Sequence, residues 1–132
     1  MTRRTISTEK APAAIGPYAQ GVAAGGLLFT AMQIALDPTT GELVGETAPE
    51  QARQCLANLG AIAEAAGASL ADVVQARVYL TDLGTFAAVN EVYAEYFPRA
   101  LPARAVVGVA ALPKDARIAI EAVVDVSEAS AE

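Results

Sequence analysis

Histidine and tryptophan are absent from this 132-residue chain, cysteine occurs once, and aromatic residues make up only 5%. Without imidazole neither a Ser-His-Asp nor a Cys-His arrangement can be built, and a homo-oligomer of the same chain does not restore one. Zinc and non-haem iron sites usually take imidazole or several thiolates, so neither metal is expected. The lone Cys55 allows no intrachain disulfide, in keeping with a reducing compartment. Basic residues are scarce too, 9 against 15 acidic, and the formal charge of -6 opposes nonspecific attraction to nucleic acid or an anionic membrane. The basic cluster Arg3-Arg4 is too small for a nucleic-acid stripe. No secretory pattern of charged start, apolar middle and small-residue cleavage site opens the chain, so the expected location is the cytoplasm. The uncharged stretch Ala11 to Leu36 is long enough to span a bilayer, but Pro12, Pro17, Gln20, Gln33 and four glycines within it fit a hairpin instead. General acid and base work is left to carboxylates, tyrosine, lysine or water.

What is present is an apolar share of 54%, rich in Ala, Val and Leu, enough to give residues 1–132 one domain with a sizeable core. Tyr18 to Val22 and Leu27 to Ile34 read as strands joined through Gly25-Gly26. Asp37-Pro38-Thr39-Thr40-Gly41 then turns the chain into a short run at Glu42-Leu43-Val44. Thr47 with Glu50 forms a capping box, and Ala52, Cys55, Leu56, Leu59, Ile62, Ala63 and Ala66 follow at helical spacing until Gly67. Val73 to Leu80 alternates as a strand, and a second helix runs from about Thr85 to Phe97, where Pro98 stops it. Two apolar strands follow, Arg104 to Val109 and Arg117 to Val126, and the residues after Val126 read as frayed. The order ββ(β)αβαββ implies an α/β (α+β) fold, a mixed β-sheet with two helices on one face. The last strands are apolar on both faces, so self-association that covers the open face is expected.

Arg104 and Glu121 are charges inside those last strands. A hairpin turn at Leu112-Pro113-Lys114-Asp115 would set Glu121 against Val106 and diagonally from Arg104, at roughly 7–8 Å, in one pocket. Arg104 then has two readings: a planar fork for a substrate carboxylate, or a structural pair with Glu121 or an interface carboxylate. Spacing alone favours the structural pair. Glu121 is either a general base that orients a water or the partner of Arg104. Tyr18 is a phenol at a pocket edge or a packed strand residue, and Asn90 on the second helix reads as solvated. Cys55 lies on the apolar stripe of the first helix and reads as core. Gly25-Gly26 lacks the residues of a phosphate loop or a dinucleotide fingerprint.

Ala11-Pro12-Ala13-Ala14-Ile15-Gly16-Pro17-Tyr18-Ala19-Gln20-Gly21, Pro102-Ala103-Arg104, Leu112-Pro113-Lys114-Asp115 and Ile118-Ala119-Ile120-Glu121-Ala122 resemble, in order and spacing, the RidA family, also called YjgF or L-PSP. The resemblance runs over nearly the whole chain. It implies a chorismate mutase-like fold, a homotrimer with pockets at the subunit interfaces, and cofactor-free hydrolysis of 2-imino or 2-aminoacrylate acids to 2-keto acids and ammonia. It also implies that Arg104 binds the carboxylate, that Glu121 places or activates the water, and that Tyr18 lines the pocket, which reverses the preference for a structural Arg104. Two departures bear on substrate range. Ala31-Met32-Gln33 stands where archetypal members carry Ser-Gly-Gln, and Val106 replaces a cysteine two residues after the arginine. The backbone N–H groups of Ala31 and Met32 remain candidates to bind an oxygen. A noncatalytic carboxylate-binding or regulatory member is the second reading. Ribonuclease or translation inhibition, the third, fits the charge and missing histidine poorly.

Overall fold

The computed structural model describes residues 3–128. The fold starts from local signals. The Thr47 hydroxyl accepts from the Glu50 N–H at 3.3 Å and the Glu50 carboxylate accepts from the Thr47 N–H at 3.1 Å, opening helix α1, Ala48–Ala65. Beyond the Ala66 cap, Gly67 takes the left-handed conformation, φ +87°, that ends it. Helix α2, Phe86–Tyr96, buries Val89, Val92 and Tyr93 and stops before Pro98. Strands β1 Arg4–Ile6, β2 Gly21–Ala24, β3 Leu27–Thr30, β4 Val73–Leu80, β5 Ala103–Gly108 and β6 Ile118–Asp125 form one sheet in the order β1-β2-β3-β6-β4-β5. Gly25 and Gly26, at φ +61° and +82°, turn β2 into β3. The anticipated mixed sheet with two helices is therefore present. No helix among the described residues is long and apolar enough to cross a membrane.

Burial explains the strand order. Ile118, Ala119, Ile120, Ala122 and Val124 of β6 are buried, and β6 takes a central place beside β3 and β4. The edge falls to β5, whose Arg104 and Val107 are exposed. This overturns the expected hairpin between the last two strands. β4 lies between them, antiparallel to β6 and parallel to β5, because α2 carries the chain back over the sheet before β5 begins. The link from β5 to β6 is not a tight turn. It crosses the end of β4, where the Val109 N–H donates to the Leu80 carbonyl at 2.9 Å and the Thr81 N–H to the Arg117 carbonyl at 3.2 Å.

Three smaller expectations also change. Tyr18 precedes β2 and is not a strand residue, Glu42 to Val44 contributes a single bridge from Leu43 to Leu36, and β3 ends at Thr30. The third early strand is β1. Cys55 is fully buried, its thiol against the Ile118 carbonyl and pushed up to about 12 by burial, as its place on the apolar stripe implied. The expected fray after Val126 runs in part through residues 129–132, outside the described residues.

On the face away from the helices lie Phe29 of β3, Glu121 and Val123 of β6, Gln75, Arg77 and Tyr79 of β4, and Val107 of β5. Phe29 and Val107 are exposed there.

Candidate active site

The expected site residues fall into three places. Tyr18, Ala31 and Met32 border a cleft of about 690 Å³ with Ile15, Ile34 and Pro113. A bulge at the end of β3 shapes it. The Thr30 hydroxyl accepts from the Ala122 N–H at 3.0 Å, the Ala31 N–H donates to the Gln20 carbonyl at 2.8 Å, and the chain rejoins β6 through reciprocal Gln33–Ile120 bonds of 2.8 and 3.0 Å. The Ala31 N–H is thus already engaged, which removes one of the two proposed oxygen donors. The Met32 N–H has no hydrogen bond among the described residues. Buried amides brace this segment. Gln20 donates to the Ala11 and Pro12 carbonyls at 3.2 and 2.7 Å, and Asn58 of α1 to the Leu36 carbonyl at 3.0 Å. The Tyr18 hydroxyl accepts from the Ile15 N–H at 3.4 Å, and its ring is half exposed at the cleft edge.

Glu121 stands one residue beyond Ile120, half-buried on the open sheet face, directly across from Arg77. It accepts a hydrogen bond from the Tyr79 hydroxyl. That bond is the largest of the causes that hold the Tyr79 phenol above its usual range, followed by burial and the Glu121 charge, with Arg77 pulling the other way. Sequence reasoning missed both Tyr79 and Arg77. The signal was there in the alternation of β4, where polar Gln75, Arg77 and Tyr79 share one face and apolar Ala76, Val78 and Leu80 the other.

Arg104 lies on the helix side of β5, in register with Ala76, and Val106 follows on the same side against Val78. Its Nη1 donates to the Asn90 amide oxygen at 2.7 Å. The guanidinium carbon sits 4.7 Å from the Tyr93 ring centre and 5.1 Å from that of Phe86. Asn90 is therefore not merely solvated. The other Arg104 donors have no protein acceptor among the described residues, and a hollow of about 300 Å³ opens beside them against Phe97, Leu101 and Pro102. Burial raises the Tyr93 phenol and the Arg104 charge lowers it.

Arg104 and Glu121 consequently occupy opposite faces of the sheet with β4 between them, and they neither pair nor share a pocket within one chain. The expectation that they do rested on the hairpin and fails with it. The arrangement offers a planar cation with free donors on one face, and a hydrogen-bonded carboxylate on the other.

Known proteins are similar to this chain over most of its length. The sequence profile described as Endoribonuclease L-PSP matches residues 8–126. A RutC family protein of Pyrococcus horikoshii is 54% identical over 92% of this chain and 96% of its own. The 2-iminobutanoate/2-iminopropanoate deaminase of Capra hircus is 49% identical over 93% of this chain and 90% of its own. Among solved structures, Escherichia coli TdcF with bound serine superposes with a TM-score of 0.87 at 45% identity, covering 92% of this chain and 98% of that one. The resemblance read from the motifs holds, and the chain belongs to the Endoribonuclease L-PSP family, known also as RidA or YjgF.

Proposed function

We propose that this protein is a deaminase that hydrolyses small reactive 2-imino acids to 2-keto acids and ammonia, at sites between the subunits of a homotrimer in the cytoplasm. The observation that carries the reading is Arg104: set against the Tyr93 and Phe86 rings, anchored by Asn90, and left with unspent donors. That is the chemistry of a carboxylate clamp. The relative named a 2-iminobutanoate/2-iminopropanoate deaminase and the TdcF structure holding serine, an amino acid with a carboxylate to bind, support it.

Because Arg104 and Glu121 face opposite ways, one complete site needs Arg104, Asn90 and Val106 from one copy and Glu121 with the Tyr18, Ala31 and Met32 cleft from another. In the proposed reaction Arg104 holds the substrate carboxylate, and the unpaired Met32 N–H donates a further hydrogen bond to it. Glu121 accepts a proton from water as the oxygen bonds to the electrophilic iminium carbon. Glu121 returns that proton to the nitrogen of the tetrahedral carbon, the C–N bond breaks as the hydroxyl oxygen forms the carbonyl, and the released ammonia takes up the hydroxyl proton to leave as ammonium. Iminium and water go in, keto acid and ammonium come out, and no electrons are exchanged.

The test generates imines with an amino-acid oxidase, traps them with semicarbazide and measures the fall in trapped product on adding the protein. Arg104→Ala should lose ten- to hundredfold in activity, about 1.5–3 kcal/mol. Equal rates for wild type and Arg104→Ala would overturn the mechanism. A second reading, carboxylate binding without turnover, is favoured by one feature, the Met32 side chain partly exposed in the cleft where archetypes have no side chain. It predicts that 2-keto acids bind while imines are not hydrolysed. The family's ribonuclease label, the third reading, predicts RNA cleavage that disappears in Glu121→Ala, against the -6 charge of the chain.

A further inference from the structure

Tyr79 and Glu121 sit on adjacent strands of the open face but not directly opposite one another. The β4–β6 register sets Tyr79 against Ala119 and Arg77 against Glu121, so the phenol reaches the carboxylate along the diagonal, a span within reach of an aromatic side chain. The residue across from Tyr79 carries only a methyl group, which leaves the ring room to lean. The hydroxyl meets Oε2 of Glu121 and no other oxygen of it. Arg77, the cation directly across, forms no ion pair with Glu121 among the described residues. The carboxylate is therefore held by a neutral donor at one oxygen, and Oε1 keeps its lone pairs unengaged among the described residues.

A carboxylate free to rotate on a strand would offer either oxygen in many directions. A single bond to one oxygen fixes its plane and aims the other. We propose that Tyr79 is a positioning residue for imine hydrolysis, holding Glu121 through Oε2 so that Oε1 receives the proton of the attacking water. The inference rests on the deaminase reading given above. Tyr79 touches neither substrate nor water and acts through Glu121.

Tyr79→Phe keeps the ring and removes the bond. In the oxidase-coupled imine assay it should lower kcat about tenfold with KM unchanged, because the carboxylate clamp lies elsewhere. A second measurement does not depend on turnover. The difference between the alkaline ultraviolet titrations of wild type and Tyr79→Phe isolates the Tyr79 phenolate band, which should develop above the ordinary tyrosine range. The same difference taken in a Glu121→Gln background should develop at lower pH, since the Glu121 bond and charge are gone while Arg77 remains. Wild-type kcat in Tyr79→Phe, a change confined to KM, or a Tyr79 titration indifferent to Glu121→Gln would each overturn the positioning role while leaving the deaminase reading intact. Full imine hydrolysis by Glu121→Gln would instead overturn the deaminase mechanism itself.

Discussion

A guanidinium laid over aromatic rings cannot be exchanged for an ammonium without losing both its fork and its stack. Arg104→Lys keeps the charge, yet it should fall close to Arg104→Ala in kcat/KM for 2-imino acids. Activity near wild type would mean that charge alone suffices and that the contacts to Tyr93, Phe86 and Asn90 are incidental. Met32 acts on shape. Met32→Gly should enlarge the cleft and raise kcat/KM for branched imino acids relative to the smallest ones, by roughly tenfold for a difference of one or two methylenes. Cys55 makes a prediction about stability. Its thiol is held near 12 in the fold against 9.0 for the unburied group, so the proton is kept by the folded chain and lost first by the unfolded one. The Cys55 contribution to stability is fully present below pH 9 and falls by about 1.4 kcal/mol per pH unit between there and 12. Denaturant unfolding at stepped alkaline pH should give Cys55→Ala a shallower slope by about one proton.

At the scale of elements, the capping box of α1 and the loop before β6 make opposite contributions. Thr47→Ala should cost about 1 kcal/mol by leaving the Glu50 N–H without its acceptor, measured by urea unfolding. Lys114 and Asp115 are held at φ +58° and +56°, left-handed values that disfavour side chains, so Asp115→Gly should stabilise the chain by up to about 1 kcal/mol. Elements of this kind were the legible ones. The helices and β4 were readable because their signals are local: a cap three residues from its partner, an apolar stripe, a glycine or proline stop. β1 escaped notice because three residues carry too little alternation. The pairing of β5 with β4 was out of reach for a different reason. A turn-like Leu112 to Asp115 suggests a hairpin, but which strand lies beside which is decided by contacts remote in sequence, here the burial of β6 between β3 and β4. The same gap affected the site. Residue types for clamp, base and cleft were recognised one by one, whereas Tyr79 gained its meaning only when the register set it diagonal to Glu121.

For the whole molecule, an open face carrying Phe29, Val107 and Val123 beside Tyr79 and Glu121 is a surface that water solvates poorly. Sedimentation equilibrium should return three times the chain mass, and Phe29→Asp should shift it toward one. A monomeric wild type at micromolar concentration would remove the intersubunit site along with the trimer. Arg104 and Glu121 lie on opposite faces of the one sheet. If each chain lends its arginine to one neighbour and its glutamate to the other, a defect in either residue damages only one of the two sites a chain helps to build. Arg104→Ala and Glu121→Gln, each impaired when pure, should then rescue one another when unfolded and refolded together, because some mixed assemblies bring a sound arginine face against a sound glutamate face.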